Sequence, residues 1–146
     1  PPRSTLFPYT TLFRSVSMEA DIYPANMPEL ADLIDGAIGE GSPFHERFGY
    51  YAQGVGPETA VLPEGWQGRL VRLQNQNTDL KVGLCLDPSD LCAAKLVAGR
   101  EKDWVFVREA LKHGIVSAET LATRVRALPV GPGQRDRLLA WVLAHG

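Results

Sequence analysis

The sequence predicts an α+β domain, and the order of its hydrophobic patterns carries this prediction. Residues 16–86 contain short segments in which apolar and polar side chains alternate, as they do in strands. Residues 87–146 contain four segments with helical spacing of apolar residues, separated by Gly or Pro. The chain has 146 residues, of which 45% are apolar and 22% charged, so we expect one globular domain.

The charge balance limits the partners that the chain is suited to bind. Lys and Arg number 15 and Asp and Glu 17, which gives a net charge of −2. Broad nucleic-acid binding is not expected, because the chain as a whole offers no positive field to phosphates. Cys85 and Cys92 are too few for a disulfide scaffold, so we predict two free, buried thiols and a cytoplasmic protein. No apolar run approaches the roughly 20 residues that cross a bilayer.

Residues 1–15 are expected to be foreign to the protein. They contain neither Asp nor Glu, and the run from Thr5 to Ser15, TLFPYTTLFRS, resembles the in-frame translation of a sequencing adapter. A signal or transit segment is the alternative, but the apolar core and the small-residue cleavage site are missing. Without this segment, residues 16–146 carry 13 basic and 17 acidic side chains, a net charge of −4.

The sheet-rich part, residues 16–86, begins with a predicted strand over residues 17–24. An amphipathic helix follows over residues 28–39, with Asn26 as its predicted N-cap. Its buried stripe is predicted to comprise Leu30, Leu33, Ile34, Ala37 and Ile38.

Three further features complete this part. Ser42 is predicted to cap a short helical turn. Residues 50–55 and 58–62 resemble a hairpin around Gly56 and Pro57. Two more strands are predicted over residues 69–74 and 81–86.

The helical part, residues 87–146, begins with an N-terminal signal. Asp87 is placed to cap and Pro88 to occupy the first helical position. Ser117 is a second predicted N-cap. The predicted helices span residues 88–98, 102–113, 118–128 and 133–144.

Glu19 and Asp21 are the first chemically informative pair. Their spacing places both carboxylates on one face of a strand, with Cα atoms about 6.5 Å apart. Two anions this close favour a cation between them, and Mg²⁺ prefers such oxygen ligands. The alternative is an exposed strand face with two solvated acids, as in an α+β domain without a metal site.

A second cluster lies around Gly99, where two predicted helices meet. Lys95, Arg100 and Asp103 lie close together in the sequence, and Lys95 shares a helical face with apolar residues. A partly buried lysine needs a partner, and both Asp103 and a ligand phosphate qualify. The alternative is an ion pair that only joins two helices.

Four stretches carry a resemblance to a known family. They are SMEADIYP, PELADLIDGAIGEGSPFHERFGYY, LPEGW followed by RLV, and DLCAAKLVAGREKDWVFVREALKHG. Together they cover nearly all of residues 16–146 and resemble an uncharacterised bacterial family of nucleotidyltransferase-like proteins, relatives of the abortive-infection nucleotidyltransferase toxins. The most specific piece is REKD together with the upstream Lys95.

The resemblance implies a fold and a site. The fold would be a mixed sheet core of DNA polymerase β type with a helical C-terminal half. Glu19 and Asp21 would bind Mg²⁺, Lys95 and Arg100 would bind the nucleotide, and Asp103 would orient Lys95 or act as a base. The implied reaction is Mg²⁺-dependent nucleotidyl transfer from an NTP. A membrane partner is not expected, because no apolar run is long enough to cross a bilayer.

Two departures from the family pattern put that activity in doubt. No Gly-Ser motif precedes Glu19, and the adapter-like segment stands in its place, so we expect an N-terminally truncated domain without its first strand and helix. The strand expected to carry a third acid, residues 69–75, contains no Asp or Glu. We therefore expect impaired transfer. The alternative is a non-catalytic nucleotide- or protein-binding module, such as one component of a toxin–antitoxin pair.

Overall fold

The structure, a computed structural model, describes residues 18–146. Their contacts divide them into two compact units, residues 18–60 and residues 61–146. The adapter-like segment, residues 1–15, lies outside the described residues. Within the described part, no helix has the length and apolar character needed to cross a membrane.

The unit of residues 18–60 is built on a strand–helix–strand crossover. Strand β1 (Glu19–Ile22) pairs in parallel with β2 (Tyr51–Gly54). The connection contains α1 (Ala31–Ile38) and α2 (Pro43–Phe48), because parallel neighbours need a long crossover. Short 3₁₀ turns lie at Pro28–Leu30 and Pro57–Thr59.

Close packing of α1 on β2 depends on a glycine. A Cβ at Gly54 would lie 2.0 Å from the carbonyl oxygen of Ala31, so only glycine permits this approach. The Gly54 N–H also donates to Asp35 Oδ1 at 2.7 Å. Helix and strand are thus joined both by contact and by a hydrogen bond.

Predictions for this unit have mixed outcomes. The first strand and the Ser42 cap are confirmed, and Ser42 Oγ accepts from the His45 N–H at 3.2 Å.

The predicted Asn26 cap is wrong, because a 3₁₀ turn precedes α1 and the N-cap of α1 is Leu30. Leu33 and Ala37 are predicted to lie in the buried stripe, but both are exposed, Leu33 to 64%. The hairpin around Gly56 is wrong, because β2 pairs with β1 and a 3₁₀ turn follows it.

The unit of residues 61–146 combines a small ribbon with a helical array. Strands β3 (Val71–Leu73) and β4 (Gly83–Cys85) form an antiparallel pair. Two 3₁₀ turns lie at Trp66–Arg69 and Gln76–Thr78. The four helices are α3 (Pro88–Ala98), α4 (Glu101–Lys112), α5 (Ala118–Arg126) and α6 (Pro132–His145).

Local signals set the helix boundaries in this unit as the sequence predicts. Asp87 Oδ1 accepts from the Ser89 and Asp90 N–H groups, and Ser117 Oγ accepts from that of Thr120. The α+β class is confirmed. The finer prediction of a polymerase β-type mixed sheet stays a prediction, since the described strands form two two-stranded sheets.

The hydrophobic core of this unit lies among the four helices. Its buried side chains include Leu96, Val107, Leu121, Val125, Leu128, Leu138 and Val142. Cys92 is in this core, and burial raises the pKa of its thiol to about 12. Cys85 was also expected to be buried, but it is only partly so at the end of β4.

A fully buried carboxylate ties this core to the segment before β3. Asp90 on α3 accepts two bonds from Arg69, Nε to Oδ2 at 2.8 Å and Nη2 to Oδ1 at 2.9 Å. The Arg124 Nε on α5 lies 3.3 Å from Oδ1. Arg69 also donates to the Glu64 carbonyl oxygen at 3.1 Å. Two cations therefore compensate the buried charge of Asp90.

We expect Asp90→Ala to lower the free energy of unfolding by about 3 kcal/mol, because it leaves two partly buried cations without their counterion. This value is at the low end for buried ion pairs, since the Arg69 and Arg124 side chains remain 26% and 22% exposed. Urea unfolding followed by circular dichroism measures the change. Asp136→Ala, at an exposed acid on α6, is the control. Equal stability of the two variants would contradict this role of Asp90.

Candidate functional site

The predicted site residues fall into two groups, one in each unit. Glu19 and Asp21 lie together on β1, in residues 18–60. Lys95, Arg100 and Asp103 lie together at the α3–α4 corner, in residues 61–146.

Parallel pairing places polar residues of β2 beside the two carboxylates. Glu19 is in register with Tyr51, and Asp21 with Gln53. Alternation along each strand therefore puts these four side chains on one face of the two-stranded sheet. Glu19 is half-buried and Asp21 exposed.

The Tyr51 hydroxyl interacts directly with this acidic face. Partial burial and the nearby charges of Glu19 and Glu40 raise the pKa of Tyr51. A hydrogen bond to Glu19 and the charge of Asp21 raise this pKa further. A phenol is already protonated at neutral pH at its ordinary pKa of about 10, and these acidic neighbours keep it so.

A pocket of about 230 Å³ opens beside Tyr51. It is lined by Asp35, Gly39, Glu40, Tyr51, Ala52 and Gln53. Neither Tyr51 nor Glu40 is among the site residues predicted from the sequence. The pairing register of β1 with β2 places Tyr51 beside Glu19, and the fold of the loop after α1 places Glu40 at the pocket. Neither position follows from a local sequence pattern.

Helix α2 supports the ring of Tyr51. The centroids of the His45 and Tyr51 rings are 4.7 Å apart, and His45 Nδ1 accepts from the Gly41 N–H at 3.0 Å. Gly41 and Ser42 form a Gly-Ser pair, but it follows β1 in the chain, whereas the family pattern places this motif before the carboxylate strand. Here Ser42 caps α2.

The donor set on β1 fits a hard divalent cation. Proteins usually hold Mg²⁺ through one or two carboxylates, with water and substrate phosphates completing the shell. Glu19 and Asp21 are such a pair, on one face of β1. Residues 18–146 contain no group of three or more His, Cys, Asp or Glu arranged to hold a metal. A cation on β1 would therefore find at most two acidic ligands there within the described residues.

In the second group, a buried carboxylate gathers two cations. Asp103 is fully buried near the start of α4. Its Oδ2 accepts from Arg100 Nε at 2.7 Å and from the Arg100 backbone N–H at 3.3 Å. Its Oδ1 accepts from Arg100 Nη2 at 3.2 Å and from Lys95 Nζ at 3.4 Å. Both oxygens are therefore fully engaged.

These contacts decide the protonation of Asp103. Burial alone would raise its pKa, but the Arg100 hydrogen bonds and the Lys95 charge outweigh burial and lower it. A carboxylate with a lowered pKa is a weak base. Of the two roles predicted for Asp103, these contacts favour orientation of Lys95.

The corner that carries this group is well defined. Gly99 ends α3 with φ of 68°, a conformation that favours glycine. The Trp104 indole Nε1 donates to the Gly99 carbonyl oxygen at 2.8 Å. Lys95 Nζ lies 4.8 Å from the centroid of the Phe106 ring, as its apolar helical face predicts. The ion pair that joins α3 to α4 is thus present, and the Arg100 side chain remains 60% exposed.

We expect Asp103 to contribute pH-dependent stability. Because its pKa is lower in the folded state, the contribution is full above the unfolded pKa of about 3.9 and is lost as pH falls through the folded value. Asp103→Asn should therefore be less stable than wild type at pH 7, and the gap should shrink below about pH 5. Urea unfolding at several pH values between about 2 and 7 measures the gap. Glu101→Gln, at an exposed acid in the same helical turn, is the control. A gap that stays constant with pH would contradict the assignment.

Comparison with known proteins identifies the family. Residues 10–131 match a family described as nucleotidyltransferase of unknown function (DUF6036). No curated protein and no solved structure matches the chain. The family match covers most of the chain, including β1 and the α3–α4 corner. The chain therefore belongs to this family of nucleotidyltransferase-like proteins of unknown function.

Proposed function

We propose that the protein binds an NTP together with Mg²⁺ and acts in nucleotidyl transfer. The observation that carries this proposal is the pair Glu19 and Asp21 on one face of β1, in a chain that belongs to a nucleotidyltransferase family. Membership alone supplies no activity, so the proposal depends on these carboxylates.

Glu19 and Asp21 would hold the cation. When bound, Mg²⁺ neutralises charge on the phosphate oxygens of the nucleotide. The two carboxylates orient the cation and give the site its negative charge.

Lys95 and Arg100 would provide positive charge for the phosphates, as the family resemblance implies. Both side chains remain partly exposed to solvent, although each forms an ion pair with the buried Asp103 carboxylate. Phosphoryl-type transfer needs mainly positioning and electrostatic stabilisation, which such cations supply. Asp103 itself would act as a positioning residue, because both of its oxygens already accept hydrogen bonds.

A second candidate is a non-catalytic nucleotide- or protein-binding module, such as one component of a toxin–antitoxin pair. The observation that favours it is the absence of a third acidic ligand among residues 18–146. Strand β3, where the family pattern places that acid, contains Val71, Arg72 and Leu73. Such a module would bind nucleotide, or a protein partner, and transfer nothing.

We expect wild-type protein to bind NTP in a Mg²⁺-dependent way and to transfer label slowly. The double variant Glu19→Gln/Asp21→Asn should weaken this binding by about tenfold or more, because it removes the ligands themselves. Calorimetry with each of the four NTPs, with and without Mg²⁺, measures binding, and transfer of ³²P from α-labelled NTP measures catalysis.

The control is Glu29→Gln/Asp32→Asn, which removes the same two charges from exposed positions before and within α1. An equal loss of NTP binding in both double variants would contradict the assignment of Glu19 and Asp21 as the metal pair. Binding without transfer would favour the second candidate in its nucleotide-binding form. Absence of NTP binding by wild type would overturn the proposed function, leaving the protein-binding form of the module.

A further inference from the structure

We propose that strand β4 is the interface of a homodimer, in which it pairs antiparallel with β4 of a second copy of this chain. The paired segment is residues 81–87, and the two-fold axis passes through Leu84. This interface lies within residues 61–146 and does not depend on nucleotide binding.

Strand β4 lies at the edge of its sheet in the part of the chain that the structure describes. It pairs with β3 in a two-stranded sheet, and no other described strand joins that sheet. A sheet edge presents a row of N–H and C=O groups that can accept a further strand. A two-stranded ribbon is also marginally stable, so a further strand would stabilise it.

The edge formed by β4 is apolar and faces solvent. Leu84 at its centre is 62% exposed, and Val82 is 49% exposed. Native edges are commonly protected by Pro or by a charged side chain, and residues 82–86 contain neither. Strand β3 differs, because Arg72 lies at its centre. Symmetric pairing of β3 would place two copies of Arg72 opposite each other, which is unfavourable.

The backbone defines the length of the edge that can pair. Leu80 has φ of 58°, a left-handed conformation that ends an extended segment. At the other end, Asp87 is the N-cap of α3 and Pro88 is the first residue of that helix. Residues 81–87 therefore form the available edge, and Leu84 is its midpoint. A two-fold axis through Leu84 uses the whole of this edge in both copies.

This register opposes compatible side chains along its whole length. Leu84 lies opposite the partner's Leu84, and Val82 lies opposite the partner's Leu86. Lys81 lies opposite the partner's Asp87, and the symmetry repeats this pairing of opposite charges at both ends. Cross-strand apolar and opposite-charge pairs of this kind stabilise a sheet. The α3 cap uses Oδ1 of Asp87, and a carboxylate has a second oxygen that can accept from Lys81.

The alternative registers are less favourable. An axis through Gly83 or through Cys85 would shorten the paired segment, because residues 81 and 87 limit it at either end. Either shift would also separate Lys81 from the partner's Asp87. The charges therefore select the register centred on Leu84.

Sedimentation velocity of the full chain at several concentrations tests the dimer. We expect wild type to show a monomer–dimer equilibrium with a Kd of about 10 µM, because an edge of this length is a small interface. Leu84→Glu should raise this Kd at least about tenfold, since it places like charges directly opposite each other. Leu143→Glu is the matched control, because Leu143 lies on α6 and is 72% exposed. It should dimerise as wild type does.

Circular dichroism reports whether each variant keeps its fold. Lys81→Glu is a second, more conservative variant, because Lys81 is exposed and its replacement leaves the apolar edge intact. It would oppose the partner's Asp87 with an acid at both ends. We expect it to raise the Kd at least about threefold.

Disulfide trapping tests the register. In a Cys85→Ser background, Leu84→Cys should form an intermolecular disulfide under mild oxidation with copper phenanthroline. Directly opposite Cα atoms are about 4.5–5.5 Å apart, within the range that a disulfide spans. Val82→Cys in the same background is the control, because each copy of residue 82 lies opposite residue 86 and the two thiols are too far apart to join.

The outcomes decide the proposal. A wild type that sediments as a monomer up to about 100 µM would overturn the dimer, and so would an equal loss of dimer in Leu84→Glu and Leu143→Glu. A dimer that Leu84→Glu and Lys81→Glu leave intact would place the interface elsewhere. Equally rapid trapping of Val82→Cys and Leu84→Cys would overturn the register.

Discussion

The parallel pairing of β1 with β2 is the constraint on which the candidate metal site depends. Two strands can run in parallel only if the chain between them returns to the same end of the sheet. Helix α1 makes that return and packs on β2 closely enough to require Gly54. The resulting register brings Tyr51 beside Glu19 and Gln53 beside Asp21. Residues far apart in sequence become neighbours through backbone geometry alone.

The chain handles its acidic groups in two different ways. Asp90 and Asp103 are fully buried, and each is contacted by two cationic side chains. Their charge is neutralised inside the fold, and it serves to join segments of the helical unit. Glu19 and Asp21 lie nearer the surface, half-buried and exposed respectively. Carboxylates nearer the surface can be reached by a ligand from solvent, whereas those of Asp90 and Asp103 are enclosed by the fold.

Local signals explain which parts of the structure could be predicted from sequence. Helix α3 has its predicted bounds because Asp87, Pro88 and Gly99 are start and stop signals that need no tertiary context. The prediction of a hairpin around Gly56 was wrong because strand pairing does depend on tertiary context. Gly-Pro between two apolar segments suits a hairpin, but the pairing of β2 was decided by β1, far away in the chain. The positions of Tyr51 and Glu40 depend on the same kind of long-range packing, so the sequence did not predict them as site residues. Glu19 and Asp21 lie two residues apart on one strand, so their shared face could be predicted from the sequence.

The unequal burial of the two cysteines has a practical consequence. Cys92 is sealed in the helical core with a thiol pKa of about 12, so it is neither accessible nor ionised at neutral pH. Cys85 lies partly exposed at the end of β4. Reaction of a thiol reagent requires the thiolate and access to it. The folded chain consequently exposes one sulphur and the unfolded chain two, so modification of the second thiol reports unfolding of the helical core.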